Sequence, residues 1–132
     1  MDPHSIELPR NILIGKGILD KVSNVCEELK ISGKPLVLTG EHTKGVAGER
    51  VRKSLLDVDP DTQMEIVKEA SKKEVERLDE RIPMDIDLIV SVGGGKVIDV
   101  GKLLAYQAKI PFISVPTAPS HDGVASERVS LK

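Results

Sequence analysis

The sequence predicts an α/β fold: a Rossmann-like parallel sheet with flanking helices. Two observations carry this expectation. Short apolar runs alternate along the chain with stretches of helical periodicity, the pattern of βαβ units and their right-handed crossovers. One run, residues 87–92 (DLIVSV), is almost unbroken in apolar residues, as a strand covered on both faces must be. Three glycines follow it directly, and then a helix pattern begins.

Taken in order, residues 11–15 (NILIG), closed by Gly15 and Gly17, read as an edge strand and a turn. Ile18, Val22, Val25, Cys26 and Leu29 then recur at helical spacing, and Gly33 and Pro35 stop that helix. Residues 36–39 (LVLT) have the length and composition of a buried strand. Val46, Val51, Leu55 and Leu56 predict a second helix, which Gly48 weakens by up to ~1 kcal/mol relative to alanine. Residues 64–67 (MEIV) give a weaker strand. Residues 71–81 (SKKEVERLDER) give a short helix whose dense charge needs nothing more than a solvated face. After the glycines, Val97, Val100, Leu103 and Leu104 mark one apolar side of a helix that begins near Lys96. Residues 112–115 form a further strand, ended by Pro116. Residues 127–131 resemble the start of another, and the chain stops at Lys132 with no closing helix, so the sequence reads as a fragment.

Composition narrows the function. The 132 residues carry 19 Lys and Arg against 21 Asp and Glu, a net charge of -2 that gives no basic footprint for nucleic acid. Apolar residues at 39% suffice for a packed core, and with Tyr106 and Phe112 the only aromatics, base-stacking platforms are nearly unavailable. No window reaches the roughly 18 apolar residues that span a bilayer, so stable membrane insertion is not expected. The opening MDPHSIELPR is not a signal peptide, and a lone cysteine, Cys26, excludes an internal disulfide or a cysteine-cluster zinc site. A soluble cytoplasmic protein is expected.

The chemistry concentrates in two loops. In the first, a strand ending at Val92 runs through Gly93, Gly94 and Gly95 into a helix. Glycines let a backbone approach a ligand closely, and a helix start offers unpaired N–H groups and the positive end of the macrodipole. A phosphate or pyrophosphate suits that place. The loop is neither the G-x-G-x-x-G fingerprint nor a P-loop, because Val97 stands where a hydroxyl would hold Mg²⁺. A plain βα turn would account for the glycines equally. Asp99, placed in the first helical turn, suits either the dipole or a cofactor, and its spacing from Lys102 also allows a surface pair.

The second loop, residues 116–123 (PTAPSHDG), follows the strand 112–115. In open α/β sheets ligands lie outside the carboxyl ends of the strands, where both loops fall. Thr117 and Ser120 offer hydroxyls, and His121 and Asp122 offer groups for proton transfer or orientation. Asp122-Gly123 is also a common turn dipeptide. His4 and His42 stand alone, and Glu41 with His42 makes two ligands without the third that zinc requires.

Residues 91–102 (SVGGGKVIDVGK) and 113–126 (ISVPTAPSHDGVAS) together resemble the sn-glycerol-1-phosphate dehydrogenases, within the glycerol dehydrogenase and iron-containing alcohol dehydrogenase superfamily. GGGKVID is shared widely there; SHDGVAS is the more specific portion. The runs LPRNILIGKGILDKV and LVLTGEHT are similar to that family's amino-terminal half.

The resemblance implies reduction of dihydroxyacetone phosphate to sn-glycerol 1-phosphate with NADH or NADPH, for archaeal-type ether phospholipids. It places Gly94, Gly95, Lys96, Val97, Ile98 and Asp99 against the cofactor pyrophosphate, and Thr117, Ala118, Pro119, Ser120 and Ser126 further along the cofactor. Asp122 would contact the substrate. Gly40 stands where many NAD-specific relatives carry an acid for the ribose 2′-hydroxyl, so both NAD and NADP are expected, with Lys44 a candidate partner for the 2′-phosphate. Residues 1–123 would form the NAD(P)-binding domain, and 124–132 the start of a further strand or a link to a missing carboxyl-terminal domain. That helical domain would bind the catalytic zinc, with its ligands beyond Lys132, so the 132-residue chain alone is expected to be inactive. A homo-oligomer is expected. The rival readings are a polyol dehydrogenase of glycerol type, dehydroquinate synthase, or a nucleotide-binding module without turnover.

Overall fold

In the computed structural model the described residues are 10–13, 22–28, 33–41, 47–119 and 125–131. The sheet is built from β1 (Arg10–Leu13), β2 (Lys34–Thr39), β3 (Gln63–Ile66), β4 (Ile86–Gly93), β5 (Phe112–Pro119) and β6 (Ala125–Leu131). The helices are α1 (Val22–Glu28), α2 (Glu49–Leu55), α3 (Lys72–Arg81) and α4 (Gly95–Ala108). All six strands join in the order β1-β6-β5-β4-β2-β3.

The four strands from β3 to β5 run parallel, as the alternating pattern predicts. β6 pairs antiparallel with β5, and β1 pairs antiparallel with β6 at the sheet's edge. From β2 the chain first adds β3 on one flank and then returns to lay β4 on the other. The strand order therefore reverses between β2 and β4, and a crevice opens at their carboxyl ends.

Alternating side chains split the core into two layers. Val37, Leu88, Val90, Val92, Ile113 and Val115 pack beneath Val22 and Cys26 of α1 and Val51 and Leu55 of α2. On the opposite face, Leu36, Leu38, Ile89 and Phe112 meet Val75 and Leu78 of α3 and Val97, Val100 and Leu104 of α4. Cys26 is fully buried, and burial pushes its thiol up to about 11, so it is protonated at neutral pH. Gly48 lies just before α2 rather than within it, and a Cβ there would come 3.0 Å from Thr39 Cβ. Its backbone is nonetheless helical, at φ −58° and ψ −45°, so the expected cost of a glycine stands beside this packing role.

Two expectations need correction. Pro116 does not end its strand: β5 continues to Pro119, with Thr117 opposite Glu127 and Ala118 opposite Ser126. Pro116 pairs with Gly93 where β4 runs out. The pairing of β5 with β6 keeps one register but omits Val115 and Pro116, so the missing donor falls where the ladder is already interrupted.

The charged helix α3 is also less solvated than predicted. Glu74 is only 4% exposed. Its backbone N–H donates to the Ser71 N-cap hydroxyl at 3.1 Å, while its carboxylate accepts from the Lys68 N–H at 2.6 Å and from Arg77 Nε at 2.6 Å. The hydrogen bond from Arg77 leads in holding the Glu74 carboxyl down from 4.5 to about 2. A carboxyl depressed in the folded state adds stability above its unfolded pKa and loses it as pH falls through the folded one. Stability measured by denaturant titration should fall between about pH 4.5 and 2, and Glu74→Gln should flatten that fall.

Candidate functional site

Hydrogen bonding in the sheet brings the ends of β2 and β4 together. Thr39 is paired with Val92, so Gly40 and Gly93 leave the sheet side by side at the crevice. Both are buried. Gly93 has φ +150°, a conformation that side chains rarely adopt, and it turns the chain from β4 toward α4.

Gly94 then caps α4 with no side-chain cap of its own, and its carbonyl accepts the first helical bond from the Ile98 N–H at 3.1 Å. A Cβ on Gly94 or Gly95 would meet no atom within 4 Å. The helix start thus faces open space, with free N–H groups at the positive end of a 14-residue helix. An anionic group can approach those N–H groups there.

The residues after the loop divide by direction. Gly94, Gly95 and Lys96 are exposed, and Lys96 Nζ donates to the Lys68 carbonyl at 3.3 Å. Val97 is buried in the core and can serve a ligand only through its backbone N–H, whereas Ile98 packs against the core with its N–H already bonded to the Gly94 carbonyl. Asp99 is exposed and lies in the second turn, because α4 begins at Gly95 rather than Lys96. That corrects its expected place at the dipole's end; among the described residues no ion pair joins it to Lys102.

In the second loop, Thr117 is half-buried in β5, two positions beyond Val115. Ala118 and Ser126 sit opposite one another in the β5–β6 ladder, and Pro119 opposes Ala125. These expected cofactor positions therefore share one stretch of the sheet's carboxyl edge. Ser120, His121, Asp122, His42 and Lys44 lie outside the described residues.

Sequence reasoning missed Gly101. A Cβ there would collide with Ser91 Oγ and come 2.9 Å from Phe112 Cε1, so the glycine lets α4 press onto β4 and β5 and fixes the helix start over the crevice. Ser91 Oγ is buried without a hydrogen-bond partner. The close neighbours of Gly101 lie ten residues before it and eleven after it, so no local pattern in the sequence marks it.

A family model described as iron-containing alcohol dehydrogenase matches residues 13–132. The chain belongs to this family. Among curated relatives, the glycerol-1-phosphate dehydrogenase [NAD(P)+] of Methanococcoides burtonii is 48% identical over 96% of the chain. The enzyme of the same name from Thermococcus sibiricus is 43% identical over 98%. The chain spans 36% and 37% of those two proteins' lengths.

Among solved structures, a putative alcohol dehydrogenase from Ralstonia eutropha shares the fold at a TM-score of 0.66 and 22% identity, covering 81% of this chain and 30% of that one. Maleylacetate reductase from Agrobacterium tumefaciens does so at 0.63 and 24%, covering 90% and 37%. Four parallel strands with helices on both faces are the Rossmann-like part of this family's fold. No described helix is long and apolar enough to cross a membrane.

Proposed function

We propose that this chain is the cofactor-binding part of an NAD(P)-dependent dehydrogenase that reduces dihydroxyacetone phosphate to sn-glycerol 1-phosphate. The observation that carries the reading is the 48% identity to a glycerol-1-phosphate dehydrogenase, which runs through an open glycine loop at the sheet's reversal point. The reduced nicotinamide supplies the hydride for the ketone carbon. The chain's own part is to hold the dinucleotide. The free backbone N–H groups of Gly95, Lys96 and Val97 receive the pyrophosphate, with Ile98 and Asp99 in the turn behind them, and Lys96 adds a positive charge at the loop. Thr117, Ala118, Pro119, Ser120 and Ser126 hold the cofactor further along the carboxyl edge, and Asp122 contacts the substrate.

Residues 1–123 form the NAD(P)-binding domain in this reading, and 124–132 lead toward a carboxyl-terminal domain. Among the described residues no group of three His, Cys, Asp or Glu could hold a metal ion. The zinc that the resemblance implies would take its ligands from the carboxyl-terminal domain, not from these residues.

The test is oxidation of NADH and NADPH by the protein as its gene encodes it. Dihydroxyacetone phosphate should support turnover, and unphosphorylated dihydroxyacetone should support far less. Equal rates with the two ketones would favour a polyol dehydrogenase instead. Asp122→Ala should lower turnover while leaving cofactor affinity within about twofold, since a substrate contact acts on the ketone alone. Kinetics equal to the parent's would remove Asp122 from the site.

A further inference from the structure

If the glycine loop holds the pyrophosphate, the adenosine end of the dinucleotide needs a place, and the geometry around β3 supplies one. This inference rests on the dinucleotide reading above. In Rossmann-like sheets the ribose 2′ position is read by a residue at a neighbouring strand end, an acid for NAD and a cation for NADP. Here Gly40 ends β2 with no side chain. The next strand end is that of β3. The Val67 N–H donates to the Thr39 carbonyl at 2.8 Å, so Lys68 leaves the sheet beside Gly40.

We propose that Lys68 is the residue that binds the 2′-phosphate of NADP. Its backbone is anchored at both ends. The N–H donates to Glu74 Oε2 at 2.6 Å, and the carbonyl accepts from Lys96 of the glycine-loop helix at 3.3 Å. The side chain is exposed, and it lines an open cavity of about 350 Å³ with Arg77, Arg81 and the carboxylate of Glu65, three cations against one acid. Those two arginines are held by Glu74 and Glu65. Both arginines are in contact ion pairs, whereas the Lys68 ammonium acts on the Glu74 carboxylate only through a longer-range charge interaction, so of the three cations it is the least engaged and the one best placed to meet an added anion. Glu41, exposed and one residue beyond Gly40, can accept a ribose 2′-hydroxyl but opposes a 2′-phosphate. A cation on the adjacent strand end offsets that opposition and lets one site take both cofactors.

The experiment titrates NADP and NAD separately into the protein as its gene encodes it, and into Lys68→Ala and Lys68→Arg. Loss of one charge-assisted contact should raise the NADP Kd of Lys68→Ala about tenfold or more, while the NAD Kd moves less than about twofold. Lys68→Arg should stay close to the parent for both. An unaltered ratio of the two Kd values, with both cofactors still bound, would overturn the role of Lys68 and leave the dinucleotide site standing. Binding of neither cofactor by the parent protein would overturn both. Thermal melting of each variant separates a binding loss from a folding loss.

Discussion

Gly94→Val should abolish most cofactor binding while leaving the fold as stable as before. The backbone at Gly94 has φ −85°, which any residue adopts, and a Cβ there meets nothing within 4 Å. The free protein therefore has room for the side chain. The ligand does not, because the space the valine fills is the space a pyrophosphate must occupy to reach the helix N–H groups. Losing two or three such contacts corresponds to roughly a hundredfold or greater rise in Kd for both NAD and NADP. Calorimetric titration measures the loss, and denaturant unfolding checks that stability has not changed. An unchanged Kd would remove the loop from the cofactor site. Gly93→Val is the contrasting substitution. At φ +150° it strains the backbone itself and should lower stability as well as binding.

Gly101→Val should have the largest effect on stability. Its side chain would collide with Ser91 Oγ and crowd Phe112 Cε1, and both neighbours belong to the buried sheet surface beneath α4. A hydroxyl can rotate away, but the Ser91 Cβ at 3.1 Å and the Phe112 ring cannot both yield, so the helix must lift. Overpacking of this kind costs about 1–3 kcal/mol and here more, since two residues are crowded at once. Because α4 carries the glycine loop, cofactor affinity should fall too. Gly101→Ala combined with Ser91→Gly should recover part of the loss, leaving the Phe112 crowding. Recovery to full parental stability would show that Ser91 alone sets the helix distance. Ser91→Ala by itself should be neutral or slightly stabilising, because it removes a buried hydroxyl that has no partner.

Much of this fold could be read from periodicity. The run from Leu88 to Val92 is buried on both faces because helices cover both, and that burial writes itself into the sequence as a stretch of apolar residues broken only by Ser91. The loop's position could be read for a related reason: glycines directly after such a strand can only stand at its carboxyl end. Most of what escaped depends on partners distant in sequence. Pro116 signals a strand end locally, yet β5 continues because β6, arriving from residues 125–131, pairs with Thr117 onward. Glu74 belongs to a run of charges that reads as solvated. Its partners are local, Arg77 one turn on and the Lys68 N–H six residues back, but the charge pattern does not show that the fold buries this one carboxylate between them. Gly101 resembles any helical glycine until Ser91 and Phe112 are seen beneath it. The exposed loop residues Gly94 to Lys96 stand out in the sequence because they follow a buried strand, whereas Lys68 becomes a candidate only once the Val67–Thr39 hydrogen bond sets it beside Gly40 on another strand.

The measurement that bears most directly on the central claim is amide hydrogen exchange of the protein as its gene encodes it, with and without NADPH. Binding at the crevice should slow exchange at Gly94 through Ile98 and at the ends of β2 and β3. The amides of α1 and α2 near Val22 and Val51, on the other face of the sheet, should be unchanged. Protection confined to other segments, or none at saturating NADPH, would contradict the assignment of the glycine loop as the cofactor site.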